Sequence, residues 1–101
     1  MNQAVKISLI TKTYTANEIG VQVATETKKD VFATVFSIGR TEFYNAGQAG
    51  LKPMACFAVR SMEYNGAEEL EFNNERLSIY RAYERTDGRT ELYTYRRKGA
   101  Q

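Results

Sequence analysis

The sequence predicts a mainly β protein: a small antiparallel β-barrel or sandwich of six to seven strands, with a short helix or long loop inserted near residues 40–52. Three observations lead to this fold class. Apolar and polar residues alternate through most of the chain, three two-residue turn signals divide its second half, and one central stretch follows neither pattern. The length of 101 residues suits one modest core, so we expect residues 1–101 to form a single domain.

The first half predicts three strands. In AVKISLITKTY, the side chains of Val5, Ile7 and Leu9 alternate with polar neighbours and therefore share one buried face. The segment ANEIG that follows is a predicted turn. Alternation then resumes with one interruption, the charged residues ETKKD. The simplest interpretation is that two strands meet near residues 28–30.

The second half predicts an antiparallel meander of four strands. Its turn signals are Asn65-Gly66, Asn73-Asn74 and Asp87-Gly88, residue pairs that tolerate the positive φ angles of tight hairpins. Successive hairpins with short turns favour a small barrel or sandwich. The predicted inner face of these strands carries Leu70, Phe72, Leu77, Ile79 and Leu92.

The central insert, residues 39–53, interrupts this β pattern. Thr41 is the predicted N-cap of a short helix, and Gly47 lies near its predicted end. A helix of about seven residues is not stable alone in water, so it must dock on its own barrel, dock on a neighbouring subunit, or be mobile. Pro53 then returns the chain to extended geometry before the next strand.

The net charge is only +2, but the charges are unevenly distributed. The stretch from Glu63 to Glu75 holds five glutamates and no basic residue, whereas the stretch from Arg76 to Lys98 holds seven basic and three acidic residues. Two interpretations stay open. The two stretches pair across strands within one sheet, or they lie on opposite sides of the molecule and meet in a ring of copies.

The chemistry available to the chain disfavours an enzyme. It contains no histidine and no hydrolase, phosphate-loop or zinc motif, so we predict no catalytic, cofactor or metal site. The lone Cys56 lies in an apolar run and is interpreted as a core residue. Glu69 and Glu71 share a strand face that Glu68 does not, so the three do not converge on a cation. The sequence indicates a soluble cytoplasmic protein, or part of a particle assembled there, with no membrane partner.

The alternative function is a small nucleic-acid-binding β-barrel. Arg96, Arg97 and Lys98 form a short basic tail, and Tyr93 and Tyr95 alternate beside it. An aromatic β surface with arginine can bind single strands. The small net charge and the nearby acidic stretch argue against tight binding of phosphate.

Together these stretches resemble one family. The segment GRTEFYNAGQAGLKPMACFAVRSMEYNGAEELEFNNERLSIYRAYERTDGRTELY, residues 39–93, is similar to the head–tail joining proteins of long-tailed phages, also called head-closure, stopper or adaptor proteins. The pieces that carry the resemblance are EFY.AGQAGLKP and F.VR...YNG...L.FN..R..IYR.YER.DG..ELY. They occur in this order over most of the chain.

The resemblance implies a non-enzymatic structural protein of the virion, at the head–tail interface, assembled in the cytoplasm of the bacterial host. Relatives have a small β-barrel core and form a ring, typically a dodecamer, between a portal-side adaptor protein and the tail terminator or another tail protein. Packaged double-stranded DNA passes through the lumen without sequence-specific contacts. No cofactor is implied.

The insert 39–53 would then form a subunit interface or a channel loop. Aromatic and aliphatic side chains would anchor it on a neighbour, glycines would let it bend, and charged residues would pair across subunits. The other interpretation is that Phe43 and Tyr44 merely plug one end of their own barrel. The predicted interface or channel residues are Arg40, Glu42, Phe43, Tyr44, Gly47, Gly50, Leu51 and Lys52.

Overall fold

A computed structural model describes residues 3–96 of the chain. Strands make up most of this part, as the sequence predicts, and the central insert forms a helix. The elements are β1 (Gln3–Ala16), β2 (Gln22–Phe36), α1 (Arg40–Gln48), β3 (Pro53–Arg60), β4 (Glu69–Phe72), β5 (Glu75–Glu84) and β6 (Arg89–Tyr95).

The strands close into an antiparallel barrel in the order β1-β2-β3-β6-β5-β4, with β4 pairing back onto β1. The barrel prediction is therefore confirmed. The predicted four-strand meander is wrong, because β3 pairs with β2 and β6 and does not contact β4 through a ladder. Barrel closure requires β4 to satisfy the free edge of β1, and this non-local pairing overrides the sequential order.

The predicted hairpin at Asn65-Gly66 is also wrong. After β3 the chain makes a short 3₁₀ turn, Ser61–Glu63, and crosses the end of the barrel before β4 begins at Glu69. Gly66 does adopt a φ of 83°, so the local turn signal is real. The segment between the two strands is too long for a two-residue hairpin, and the turn serves a crossover instead.

The other two turn signals in the second half are confirmed. Asn73 and Asn74 have φ angles of 53° and 63°, the geometry of a type I′ turn, and they join β4 to β5. Gly88 has a φ of 84° in the connection from β5 to β6, where the Asp87 side chain accepts a hydrogen bond from the Arg89 backbone N–H.

The hydrophobic core lies inside the barrel and matches the predicted inner face. Leu70, Leu77 and Leu92 are fully buried, and Phe72 and Ile79 pack against them. Phe57 is the largest fully buried side chain, and its ring meets that of Phe72 edge-on at 5.2 Å between centroids. The remaining buried members of the cluster are Ile7, Leu9, Val31, Ala33, Val59 and Ala67.

β1 and β2 form a hairpin that is much longer than the barrel wall. The two strands pair without a break from Gln3–Val35 to Ala16–Gln22, so the predicted junction near residues 28–30 is wrong. β1 meets β4 only at Ser8–Ile10. Residues 11–27 therefore extend past the barrel as a two-stranded ribbon, here called the hairpin arm. The molecule measures 51 × 30 × 25 Å.

Helix α1 begins two residues earlier than predicted. The Phe43 N–H bonds the Gly39 carbonyl at 2.9 Å, which makes Gly39 the N-cap in place of Thr41. At its other end, the Leu51 N–H bonds the Ala46 carbonyl and the Gly50 N–H bonds that of Gly47, the hydrogen bonds of a Schellman motif. In the part of the chain described, no helix is long and apolar enough to cross a membrane.

Candidate functional site

α1 docks on its own barrel through one face. Glu42 and Ala46 lie one turn apart on that face, and Ala46 is buried. The Glu42 carboxylate accepts a hydrogen bond from the Tyr80 hydroxyl at 2.7 Å and another from the Arg81 guanidinium at 2.6 Å. Of the three possibilities for the insert, the structure therefore shows docking on its own barrel.

The electrostatics of this contact favour an ionised Glu42. Burial alone would raise the pKa of the carboxyl, but hydrogen bonds from Tyr80 and Arg81, with the arginine charge, outweigh it and hold the pKa below its ordinary value of 4.5. Burial and the hydrogen bond to Glu42 raise the pKa of the Tyr80 hydroxyl. The contact of Glu42 with Tyr80 and Arg81, here called the clamp, therefore consists of a charged acceptor and two protonated donors.

The barrel surface beneath α1 is an organised aromatic layer. The Tyr80 ring lies between Tyr93 and Tyr95, with centroid distances of 6.2 and 6.0 Å. The Arg81 guanidinium stacks 4.1 Å from the centre of the Tyr93 ring, and the Tyr93 hydroxyl donates to Glu91 at 2.6 Å. These contacts fix the donors that Glu42 engages.

The opposite face of α1 is apolar and exposed. Phe43 and Tyr44 are 54% and 65% exposed, so the interpretation in which they plug their own barrel is wrong. Together with Gly47 and Gln48 they line a shallow open depression, here called the notch. Nothing lies within 4 Å of the position that a Cβ atom at Gly47 would take, so this glycine forms the open floor of the notch.

The other predicted interface residues occupy distinct places around α1. Arg40, in the first turn, and Lys52, just past the helix, are exposed and form no ion pair within residues 3–96. Leu51 is half-buried. Gly50 has a φ of 82°, which the Schellman motif requires and which favours glycine. Arg40 thus lies on the outer face of α1 together with the notch, and Gly50 lies in the turn that ends the helix.

The hairpin arm is a second exposed surface, which the sequence-based reasoning missed. Beyond Thr11 its residues are exposed, and Ile19 at the tip is 81% exposed. The sequence does carry a signal, a β-branched residue at every second position of each strand, but the charged ETKKD segment obscured it. The face that continues the inner side of the barrel consists of Thr11, Thr13, Thr15, Val21, Val23, Thr25 and Thr27.

Ion pairs hold the base of the arm against β4 and β5. The Arg76 guanidinium forms a bidentate ion pair with the Glu26 carboxylate, with both hydrogen bonds at 2.9 Å. The Lys28 ammonium lies 3.1 Å from the Glu71 carboxylate. Arg96 likewise contacts Glu75. Two of the ion pairs, Arg96 with Glu75 and Arg76 with Glu69 at 3.5 Å, join the basic stretch to the acidic stretch, as the first interpretation of the charge distribution predicts. The pairs of Glu26 and Lys28 instead join these stretches to β2.

Cys56 is buried, as predicted, on the strand that α1 contacts. Burial, reinforced by the charge of Glu91, raises the pKa of its thiol to about 12, so the thiolate is scarce at neutral pH. Of the basic tail considered for nucleic-acid binding, Arg96 is paired with a carboxylate, and Arg97 and Lys98 lie outside the described residues.

No protein family, curated protein or solved structure that was compared with the chain matches it.

Proposed function

We propose that this chain is a non-enzymatic head–tail connector of a long-tailed phage. Its copies form a ring, a dodecamer in the virion, between a portal-side adaptor and a tail protein. Packaged double-stranded DNA passes through the lumen of that ring without sequence-specific contacts. The proposal rests on the resemblance of residues 39–93 and on the surface of the folded chain.

The observation that carries the proposal is the exposure of large apolar side chains on two well-formed projections. The barrel buries its own core completely, with Leu92 and Phe57 fully covered. Phe43 and Tyr44 on α1, and Ile19 on the hairpin arm, nevertheless face solvent. Six of the ten exposed large apolar side chains in residues 3–96 lie on α1 or the arm, and the others, such as Phe32 and Met62, lie elsewhere. Exposed apolar side chains that lie together are typical of protein–protein interaction sites. Contact with neighbouring copies would cover them.

Within this function the residues of α1 divide into two roles. Phe43 and Tyr44 anchor the helix on a neighbour, and Gly47 leaves room for the neighbour's side chains. Arg40 supplies a charge that a neighbour can pair with. Glu42 is a positioning residue, because its carboxylate already binds Tyr80 and Arg81 of its own barrel. It sets the angle at which the outer face is presented.

The geometry supports assembly better than nucleic-acid binding. The tyrosine surface that could stack bases has carboxylates bound to its hydroxyls, Glu42 on Tyr80 and Glu91 on Tyr93. Negative charge beside the rings repels a phosphate backbone. Weak binding of single-stranded DNA with little salt dependence is the expected behaviour of the purified chain.

The test is a double substitution on the outer face, Phe43→Ser with Tyr44→Ser. Both side chains are exposed, so the circular dichroism spectrum and melting temperature should stay close to those of the wild type. The variant should fail to form rings in negative-stain images and fail to join tails to DNA-filled heads. The control is Met62→Ser, which removes an apolar side chain that is 84% exposed on another surface. Joining by the double variant at the wild-type level would refute the proposed role of α1.

A further inference from the structure

The tip of the hairpin arm is a hydrogen-bonded turn, here called the knob. The Asn17 side chain accepts hydrogen bonds from the backbone N–H groups of Ile19 at 3.0 Å and Val21 at 2.9 Å, and the Asn17 N–H bonds the Val21 carbonyl at 2.9 Å. Gly20 completes the turn with a φ of 85°. These bonds hold Ile19 outward, where it is the most exposed aliphatic β-branched side chain of the described residues. The hydrogen bonds reduce the backbone entropy that the turn would lose on binding.

The notch on α1 is an open depression with aromatic side chains in its lining. Two aromatic rings, Phe43 and Tyr44, flank a glycine floor at Gly47 that has nothing above it. A branched aliphatic side chain placed against these rings would cover apolar area on both partners. In the folded chain Ile19 and the notch are both exposed, so the arm of a chain does not occupy its own notch.

The charges around the two features are also complementary. Glu18 precedes Ile19 at the tip and forms no ion pair among the described residues. Arg40 lies three and four residues before Phe43 and Tyr44, so it borders the notch on the same helix face. The other two charged side chains of the arm pair with the barrel, Lys12 with Glu69 and Glu26 with Arg76.

We propose that the arm tip of one copy docks in the notch of the next, with Ile19 between Phe43 and Tyr44 and Glu18 facing Arg40. This rests on the proposed ring function and names the contact that builds the ring. Knob and notch are different surfaces, so the contact is heterologous and each copy offers one of each. Repetition of such a contact generates a closed ring when the rotation per copy closes.

The first experiment traps the contact in solution. Two full-length chains, Ile19→Cys and Gln48→Cys, are mixed and oxidised, and disulfide-linked heterodimers are measured by non-reducing electrophoresis. The buried Cys56 does not compete. The control pairs Ile19→Cys with Glu84→Cys, an exposed position on β5 outside the notch. We expect the Ile19→Cys and Gln48→Cys pair to give about ten times more heterodimer than the control pair. A tenfold ratio corresponds to a contact favoured by about 1.4 kcal/mol. Equal linking would overturn the proposal.

The second experiment exchanges the charges. Glu18→Arg and Arg40→Glu should each weaken self-association about tenfold, because each places like charges opposite one another. The double variant Glu18→Arg with Arg40→Glu should recover wild-type association, since the pair is restored with reversed sign. Failure of the double variant to recover would overturn the assignment of Glu18 to Arg40.

The two proposals can fail separately. Suppose that the wild-type chain forms rings, that the cysteine pair links no more than its control pair, and that the charge variants associate like the wild type. The arm–notch contact is then wrong and the connector function stands. If the wild-type chain neither self-associates nor binds heads under any condition, the connector function is wrong and the contact falls with it.

Discussion

Removal of the Glu42 carboxylate should release α1 from the barrel without unfolding the barrel. This carboxylate accepts two hydrogen bonds, and the free energy that each contributes depends on how exposed its donor is. The half-buried Tyr80 hydroxyl donates a bond to a charged acceptor, worth about 1.5 kcal/mol. The Arg81 side chain is 44% exposed, so its ion pair with Glu42 adds only about 0.5 kcal/mol. Glu42→Ala should therefore favour the undocked helix by about 2 kcal/mol, or roughly thirtyfold in population.

Amide hydrogen exchange measures this directly. The Leu51 N–H, which bonds the Ala46 carbonyl only while the helix end is formed, should exchange roughly thirtyfold faster in Glu42→Ala than in the wild type. The Leu92 amide in the barrel should not change. Tyr80→Phe removes the stronger of the two bonds and should give most of the same acceleration. Unchanged exchange at Leu51, or equal acceleration at Leu92, would refute the clamp.

The pH dependence of the clamp has a defined sign. The pKa of Glu42 is lower in the folded chain than its ordinary value of 4.5, so its contribution is complete above that value. The contribution disappears as the pH falls through the folded pKa. The wild type and Glu42→Ala should therefore differ at neutral pH and converge in acid. A difference that persists in strong acid would contradict the dependence on charge, because it would show that the uncharged Glu42 side chain also holds α1.

Two further predictions concern the core. Phe57→Ala, at a fully buried position, should lower the free energy of unfolding in denaturant by about 3–5 kcal/mol. Phe32→Ala, at a position 73% exposed, should leave that free energy within about 0.5 kcal/mol of the wild type. Similar losses for both variants would contradict the assigned barrel interior. The Cys56 thiol should resist a disulfide reagent at pH 8 until the chain unfolds, because burial raises its pKa to about 12; rapid labelling of the native chain would contradict its burial.

The sequence predicts those parts of the fold that depend on local chemistry. Alternation identifies the inner face, because Leu70, Leu77 and Leu92 each lie at an inward position of a strand. The pair Asn73-Asn74 predicts a type I′ turn because few other residues adopt positive φ at two successive positions. These signals act within a few residues and need no knowledge of the partner strand.

The sequence does not predict what depends on distant pairing. Asn65-Gly66 forms a turn, but whether a turn leads to a hairpin depends on which strand edges are free, and β3 already has two neighbours. The charged residues at 28–30 suggested a strand end, yet a strand that is exposed on both faces tolerates them, and Glu71 pairs with Lys28. The missed hairpin arm follows from this second error.

For the candidate site, the sequence selects the segment but not its orientation. Phe43, Tyr44 and Glu42 are adjacent in sequence, and only the helix period separates an outer aromatic face from an inner acidic one. The partners of Glu42, Tyr80 and Arg81, lie almost forty residues away on β5. A bulge in β5 between Ile79 and Arg81 changes the alternation there, so strand periodicity alone could not place them.

The most direct test of the connector function is the oligomeric state of the wild-type chain at the neck of the phage head. Purified chain would be imaged by electron microscopy alone and after mixing with DNA-filled heads that lack a tail. The connector function predicts a ring of copies around a central channel on the portal side of those heads. Chains that remain single in solution and leave the heads unoccupied would contradict it.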